Sequence, residues 1–341
     1  MEGIRIELVL IEITIFIVGF VGNIFVLIIV HEVKNKTIHG IFVTSLAIAD
    51  LVLLCFDSPA TILGRFDIKS DTFNCRVHLP GVTTGYNAGL FTITSMAIYR
   101  CYIVTHPWRS KLQRRSAIIW VSLVWVAAFV LVIPLMVVNT PMEKGCHEVW
   151  PSIGHRQAYT ASLTTVQYIL PLIITAICYV RIWFFLRRRP IIPRGSLSSE
   201  STIPDEEHSR ESAVILRTVA VIVLLFLVLL LPTQVAWMLN DFRNVSYDEL
   251  WFASEMLTRL HSCLNPVVYG VMNRQYRRSY IRFLSRMCCC GRFSNRFLLA
   301  PPQNHGTNED VIHVVRMCHN SEGNTKNGGI VTIEGHPIAN L

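Results

Sequence analysis

The sequence predicts an all-α membrane protein: a seven-transmembrane helix bundle with a short amphipathic eighth helix. Three observations predict it. Hydrophobic residues make up 52% of the 341-residue chain and charged residues only 16%, where soluble domains carry about a quarter charged. The apolar residues fall into seven blocks, near 7–31, 40–64, 76–104, 117–138, 158–186, 213–239 and 250–271. Each is long enough to cross about 30 Å of hydrocarbon as a helix. The basic residues gather in alternate connections, so the net charge of +8 reflects topology and not nucleic-acid binding.

Each block carries its own signal. Block one holds Glu12 and Asn23, and block two Asp50 and Pro59. Cys75, just before block three, and Arg100 near its end are 25 steps apart, which is about 37 Å of helix. Blocks four to seven contain Pro134, Pro171, Pro232 and Pro266. Proline within a span kinks the helix and is tolerated where neighbours satisfy the freed carbonyl.

The connections set the orientation. Lys34, Lys36, Arg109, Lys111, Arg114, Arg115, Arg187, Arg188, Arg189 and Arg194 lie on one side with the arginines after Met272. Glu2, Asp67, Asp71, Glu143, Glu148, Asp241, Asp248 and Glu249 lie on the other. The positive-inside rule puts the N-terminus outside and the C-terminus in the cytosol, as a multi-pass protein of the plasma membrane. The expected organisation is a short outer N-terminus over 1–6, a seven-span domain over 7–271, an amphipathic helix with its cysteines over 272–290, and a polar, disordered tail over 291–341. Tyr276, Tyr280, Phe283 and Leu284 form one helical stripe among arginines, which reads as a helix on the inner lipid surface. Cys288, Cys289 and Cys290 after it are palmitoylation candidates, with unmodified thiols as the alternative. The Pro- and Ser-rich segment 187–212 reads as a loop, with Ser196, Ser198, Ser199 and Ser201 as phosphorylation candidates.

Several polar residues need a reason to be in lipid. Asp50 has Asn23, Ser262 and Asn265 as candidate partners, and a cation- or proton-holding cluster and a structural knot are equally open. Cys75 and Cys146 both fall outside, where disulfides are permitted. A bond between them would pin the second outer loop over the bundle mouth; two free thiols is the alternative. Asn244-Val245-Ser246 is an outer glycosylation sequon. No metal-ligand spacing and no cofactor site is legible.

The motifs together resemble a rhodopsin-like (class A) G-protein-coupled receptor across all seven blocks and the following helix. They are "GFVGN" with Asn23, "SLAIAD" with Asp50, Cys75, "YRCYIVTHP" with Arg100, Trp125 with Pro134, and Cys146. Pro171 with Tyr179, Phe226 with "LLLP" ending at Pro232, and "NPVVY" from Asn265 and Pro266 to Tyr269 complete the series. The resemblance implies that Arg100 faces a heterotrimeric G protein on activation, with Tyr179 and Tyr269 near it and block six swinging about Pro232. Arrestin would be a further partner, and membrane lipid surrounds the bundle. Three departures stand out. Tyr99 replaces the acid before the arginine, which predicts raised basal signalling. Leu230 replaces the tryptophan two residues before the block-six proline, leaving more of the relay to Phe226. Gly89 replaces a serine that helps sodium bind near Asp50.

The resemblance also narrows the ligand. Block seven lacks the lysine of an opsin, and Val82 replaces the aspartate of amine receptors. The outer loop "EKGCHEVWPS" looks like the peptide-receptor branch, which includes neuropeptide Y-, RFamide-, tachykinin- and galanin-like receptors. Candidate ligand contacts are Glu148, Trp150, Trp237, Asp241, Glu255 and Arg259 at the rim, with Tyr86, Gln167 and Gln234 deeper. Trp237 could instead be an interfacial anchor, and Glu255 and Arg259, four apart, could simply pair. A small-molecule receptor, a nonsignalling partner of another receptor, a transporter and a membrane enzyme are the competing classes. No inverted repeat supports the transporter, and no nucleophile–base pair supports the enzyme.

Overall fold

A computed structural model describes residues 2–32, 37–64, 72–106, 112–142, 145–188, 203–273 and 276–282. Among the described residues the α-helices, in chain order, are α1 (Glu2–Glu32), α2 (Ile38–Gly64), α3 (Leu79–Thr105), α4 (Arg114–Val130), α5 (Ile133–Val138), α6 (Ile153–Thr164), α7 (Leu170–Arg188), α8 (Ile203–Met238) and α9 (Asp248–Met272). Three π-helical turns interrupt this pattern, at Asn74–His78 before α3, Thr165–Ile169 between α6 and α7, and Leu239–Arg243 after α8. Residues 276–282 are again helical.

Six of these stretches are long and apolar enough to cross a membrane: Glu7–Glu32, Ile38–Pro59, Asn74–Thr105, Arg114–Val138, Ile153–Arg187 and Ala213–Arg243. Their surfaces are inverted relative to a soluble bundle. Leu123, Val126, Leu224 and Val228 are more than half exposed, while Asn23, Asp50, Asn87, Thr92, Arg259, His261, Ser262 and Asn265 are buried. Outward apolar side chains cost nothing in hydrocarbon, and inward polar ones satisfy one another there. The helix α9 is long enough to span but more polar, because it carries Glu255, Arg259, His261, Ser262 and Asn265.

Small residues set the closest approaches. A Cβ built at Gly85 would lie 3.0 Å from the Leu53 amide nitrogen and 3.1 Å from the Ala49 carbonyl, so α2 and α3 meet backbone to backbone. One at Gly22 would lie 3.0 Å from Pro266, so α1 nests against the α9 proline. Close approach through small residues is how membrane helices gain packing where water supplies no drive between them. Ser45 ties three helices: its Oγ lies 3.0 Å from Thr92 Oγ1 of α3 and accepts from Trp125 Nε1 of α4 at 3.1 Å.

Several boundaries differ from expectation. Helix α1 starts at Glu2, so residues 2–6 continue the first helix. Helix α8 starts at Ile203, inside the segment expected to be a loop. The fourth block breaks at Leu131 and resumes as α5 with Pro134 in its first turn, where the ring's missing N–H costs nothing. Tyr276 and Tyr280 turn back onto the bundle: Tyr276 stacks on Tyr269 at 5.3 Å, and Tyr280 Oη donates to the Pro266 carbonyl at 3.3 Å. The Cys288–Cys290 triplet, the four candidate phosphoserines, Phe283, Leu284 and the tail from 291 lie outside the described residues.

Candidate functional site

Two ends of the bundle bring predicted residues together. The end expected to face outward carries a hairpin in which β1 (Asn139–Met142) pairs antiparallel with β2 (Gly145–Glu148). A Cys75–Cys146 disulfide ties β2 to the turn before α3, with the Cα atoms 5.4 Å apart. Arg76 Nε adds a hydrogen bond to the Asn139 carbonyl at 3.1 Å. The hairpin therefore holds its register over the mouth through one covalent and one polar tether.

At the end of β2 lies an acid–aromatic cluster. Trp150 Nε1 donates to Glu148 Oε2 at 2.7 Å, and the Trp150 and Tyr159 rings lie 5.0 Å apart. Burial pushes the Glu148 carboxyl above the ordinary glutamate range; the Trp150 hydrogen bond opposes this, Asp241 reinforces it and Arg156 opposes it. Asp241 is buried and already saturated: Thr160 Oγ1 and Asn240 Nδ2 donate to it, and Arg156 Nε lies 3.6 Å away. Asp241, expected at the rim as a ligand contact, is therefore buried and engaged by its neighbours. Its charge holds α6 against the end of α8, because a buried carboxylate must be surrounded by donors. Trp237 is partly exposed and meets Trp251 edge to face at 4.9 Å.

Arg259 is the second correction. Instead of lining the rim it is fully buried, and its guanidinium holds three helices. Arg259 donates to Asp57 Oδ2 at 2.7 Å and to Thr61 Oγ1 at 3.0 Å, both on α2. Glu12 of α1 and Glu255 one turn back on α9 each lie 3.7 Å away. The pairing with Glu255 was legible from spacing. Asp57 was not, since nothing local marks it and its partner lies 202 positions away. Glu255 is half exposed and is the member of this cluster that faces outward.

Deeper, Tyr86, Gln167 and Gln234 form one chain across α3, the second π-turn and α8. Gln167 Nε2 donates to Gln234 Oε1 at 3.2 Å, and Gln234 Nε2 donates to Tyr86 Oη at 3.0 Å. Phe226 is buried beneath them, 5.8 Å from the Tyr168 ring and 6.4 Å from His261. Leu230 is buried in the same apolar cluster. Buried Asn87, which sequence reasoning missed, has neither side-chain polar atom hydrogen-bonded among the described residues.

The polar core sits at mid-depth. Asn265 Nδ2 donates to Asp50 Oδ2 at 2.8 Å. Asn23 does not reach that carboxylate; its Nδ2 donates to the carbonyls of Gly19 at 2.9 Å and Ser262 at 3.1 Å. Gly89 faces apolar Ala49 and Leu46.

At the opposite end Arg100 is buried without an ion pair among the described residues. Its guanidinium carbon lies 5.9 Å from the Tyr99 ring centroid, and Tyr179 and Tyr269 are its other electrostatic neighbours. The aromatic face offsets part of the cost of the charge. Tyr179 Oη lies 3.5 Å from the Leu216 carbonyl, and the Tyr269 hydroxyl is unpartnered among the described residues. Pro232 interrupts the backbone ladder of α8 between these two ends.

The profile of the "7 transmembrane receptor (rhodopsin family)" matches residues 22–269, most of the chain. The chain belongs to this family. As a rhodopsin-family receptor it is a multi-pass membrane signalling protein and not an enzyme. It is similar to neuropeptide FF receptor 1 of Rattus norvegicus, 28% identical over 301 residues covering 80% of this chain and 69% of the relative. It is 26% identical over 312 residues to the RYamide receptor of Drosophila melanogaster, covering 84% and 66%. It is also 27% identical over 299 residues to melatonin receptor type 1C of Xenopus laevis, covering 83% and 68%.

Proposed function

We propose that this receptor binds a short, cationic, amidated peptide at its outer mouth and activates a heterotrimeric G protein at the Arg100 end. In this reading α9 is the seventh span, the N-terminus is outside, and residues 276–282 begin an amphipathic eighth helix on the inner lipid surface. The observation that carries the peptide reading is the acid–aromatic cluster of Glu148, Trp150 and Tyr159 at the end of the tethered hairpin. It offers a carboxylate and flat apolar rings to a ligand with cationic and amide groups. The peptide names of two relatives agree with it.

The mechanism follows from the two ends. A ligand shifts the resting equilibrium only by binding the active arrangement more tightly. Contact at Gln234 acts on α8 above Pro232, and the part of α8 below Pro232 faces Tyr179 and Arg100. Outward movement of that lower part frees Arg100 for the G protein and, after phosphorylation, for arrestin. Asn265, Pro266 and Tyr269 transmit the polar-core arrangement of Asn23, Asp50 and Ser262 to the same mouth.

The test is G-protein dissociation in cells expressing the chain, across a panel of amidated neuropeptides, with Arg100→Ala as control. A response to one peptide group, lost in the control while surface expression and peptide binding persist, supports the reading. A response to small molecules alone would favour a second reading. That reading rests on the compact, uncharged chain of Tyr86, Gln167 and Gln234 and on the melatonin receptor relative. Silence with normal surface expression and no basal signal would favour a nonsignalling partner, with Tyr99 and Leu230 as its marks.

A further inference from the structure

Helices α7 and α8 stand apart over part of their length. The pairs α2–α3 and α8–α9 run backbone-close and α7 packs on α3, but α7 and α8 make no comparable approach among the described residues. Two tyrosines bridge them instead. Tyr168 Oη, just before α7, donates to the Leu227 carbonyl at 2.8 Å, and Tyr179 Oη lies 3.5 Å from the Leu216 carbonyl. Between the bridges is an apolar recess of about 210 Å³, lined by Leu172, Ala176 and Tyr179 of α7 and by Ala220, Leu224 and Leu227 of α8. Ligand pockets run to about 300–1,000 Å³, so this recess suits a slender chain. Its open side faces hydrocarbon: both helices belong to membrane-crossing stretches, and Ile173, Ile177, Leu224 and Val228 around it are exposed.

One end of the recess is basic. Along α7, Leu172, Ala176, Tyr179, Trp183 and Arg187 follow at steps of three or four and share one face; along α8, Leu227, Leu224, Ala220 and Arg217 do the same. Both arginines are exposed, and neither has an acidic partner among the described residues. The Arg187 guanidinium folds back over the Trp183 ring, 4.4 Å from its centroid. Trp183 is half exposed, as a tryptophan at the headgroup level is. From Trp183 back to Leu172 is 11 positions, about 16 Å of helix, against about 15 Å for half the hydrocarbon core.

We propose that the α7–α8 recess binds one anionic phospholipid of the leaflet at the Arg100 end, with an acyl chain in the recess and the headgroup on Arg217 and Arg187. The depth of the slot matches one leaflet, and the cations sit where the phosphate of a chain lying in it would be. A partner helix, about 10 Å across, is too wide for a recess of this volume. A sterol would fill it without using either arginine. The acyl chain supplies the packing that α7 and α8 do not give each other there. The assignment uses only the lipid-facing surface and stands whether or not the chain activates a G protein. Only the naming of that leaflet as cytosolic rests on the orientation proposed above.

Full-length receptor is purified in detergent, and native mass spectrometry follows lipid retained on titration with phosphatidylserine or phosphatidylcholine. Expected is one phosphatidylserine retained at a several-fold lower concentration than phosphatidylcholine. Arg217→Gln and Arg187→Gln each weaken phosphatidylserine about fivefold and leave phosphatidylcholine unchanged. Arg115→Gln, exposed at the same end on α4, changes neither. Ala176→Phe, at the exposed lip where a ring has room, fills the recess and weakens both lipids with the unfolding temperature unchanged. In a second arm, phosphatidylserine carrying a diazirine on one acyl chain labels residues 172–179 and 220–227 of the wild type, and excess unlabelled phosphatidylserine removes the label. Equal retention of the two lipids, or an equal loss in Arg115→Gln, overturns the headgroup assignment and the proposal with it. Displacement of the labelled lipid by cholesterol, with the two arginine variants unaffected, makes the recess a sterol site and also overturns it. Uniform, uncompeted labelling of every lipid-facing helix leaves only bulk lipid there. If Ala176→Phe fails to fold, the competition on wild-type protein decides alone.

Discussion

Arg259 shows what a single residue can commit a fold to. Its charge is buried completely, so removing it leaves Glu12 and Asp57 facing each other at low dielectric. Arg259→Met should destabilise the receptor by about 3–5 kcal/mol, read as a lower unfolding temperature in detergent; Arg259→Lys, which keeps the charge but loses the fork, should lie between. A mutant with wild-type stability would mean that the cluster contributes nothing. Glu148 differs because it keeps a partial path to solvent. Its raised pKa means that the folded state favours the neutral carboxyl, so its contribution to stability is greatest on the acid side and is lost as pH rises through the folded value. Binding of a cationic peptide needs the opposite, ionised form. Potency should therefore fall as the outer pH drops, starting above the ordinary carboxylate range, and Glu148→Gln should lower potency and flatten that profile. A wild-type profile unchanged by the substitution would remove Glu148 from recognition. At this scale the sequence was readable where partners are local, as for Glu255 and Arg259. It was silent where a helix contributes a lone acid such as Asp57, because hydropathy smooths one charge away and pairing across 202 positions leaves no periodic trace.

Helices in this bundle are positioned by what they lack. The α2–α3 contact depends on Gly85 having no side chain. Gly85→Val should separate the backbones and reduce surface expression strongly, whereas Gly154→Ala, where the nearest foreign atom lies 3.7 Å off, should be neutral; comparable flow-cytometry signals would contradict the packing argument. Ser45 presents the converse case. Ser45→Ala leaves Trp125 Nε1 without its acceptor, a loss of about 1–3 kcal/mol measurable as a lowered unfolding midpoint. The apolar spans were legible because 20-residue apolar runs are dictated by bilayer thickness. Their ends were less so: α1 and α8 both extend past their apolar limits, since a helix in progress continues through polar residues once its hydrogen-bond ladder is established. The break before α5 could have been placed by Pro134, which belongs in a first turn more readily than in an interior.

The molecule as a whole is asymmetric between its faces. The hairpin end is fastened by a disulfide that closes a loop of 71 positions, worth about 4 kcal/mol on the chain-entropy account. Cys146→Ser should accordingly depress surface expression and abolish peptide binding, and normal binding to that variant would show that the hairpin is not part of the site. Among the described residues the Arg100 end carries no such staple. Orientation has a direct check as well. Asn244 is exposed at a left-handed turn with φ 53°, and its sequon is outside only if the N-terminus is. A glycosidase-sensitive mobility shift lost in Asn244→Gln would fix the orientation; absence of any shift in the wild type would argue against it. The Cys75–Cys146 tether was legible from the placement of both cysteines beside the same end of the bundle, whereas the hairpin it holds was not, because four-residue strands leave too short an alternation to read.

The three π-turns bear on how this receptor is compared with others. Each admits one more residue than an α-turn, and every side chain beyond it is rotated by about 100°. They fall at Cys75, at Gln167 and at Asp241, the stretches that carry the disulfide, the glutamine chain and the saturated acid. A relative without the extra residue at one of these places would align without a gap and still present a different neighbour to the pocket. Contacts copied column by column from such a relative would be shifted by one position in the outer halves of those helices, and the mistake would be invisible in percentage identity. Correspondence at this mouth must be made in space, starting from Cys75, Pro171 and Pro232 and working outward.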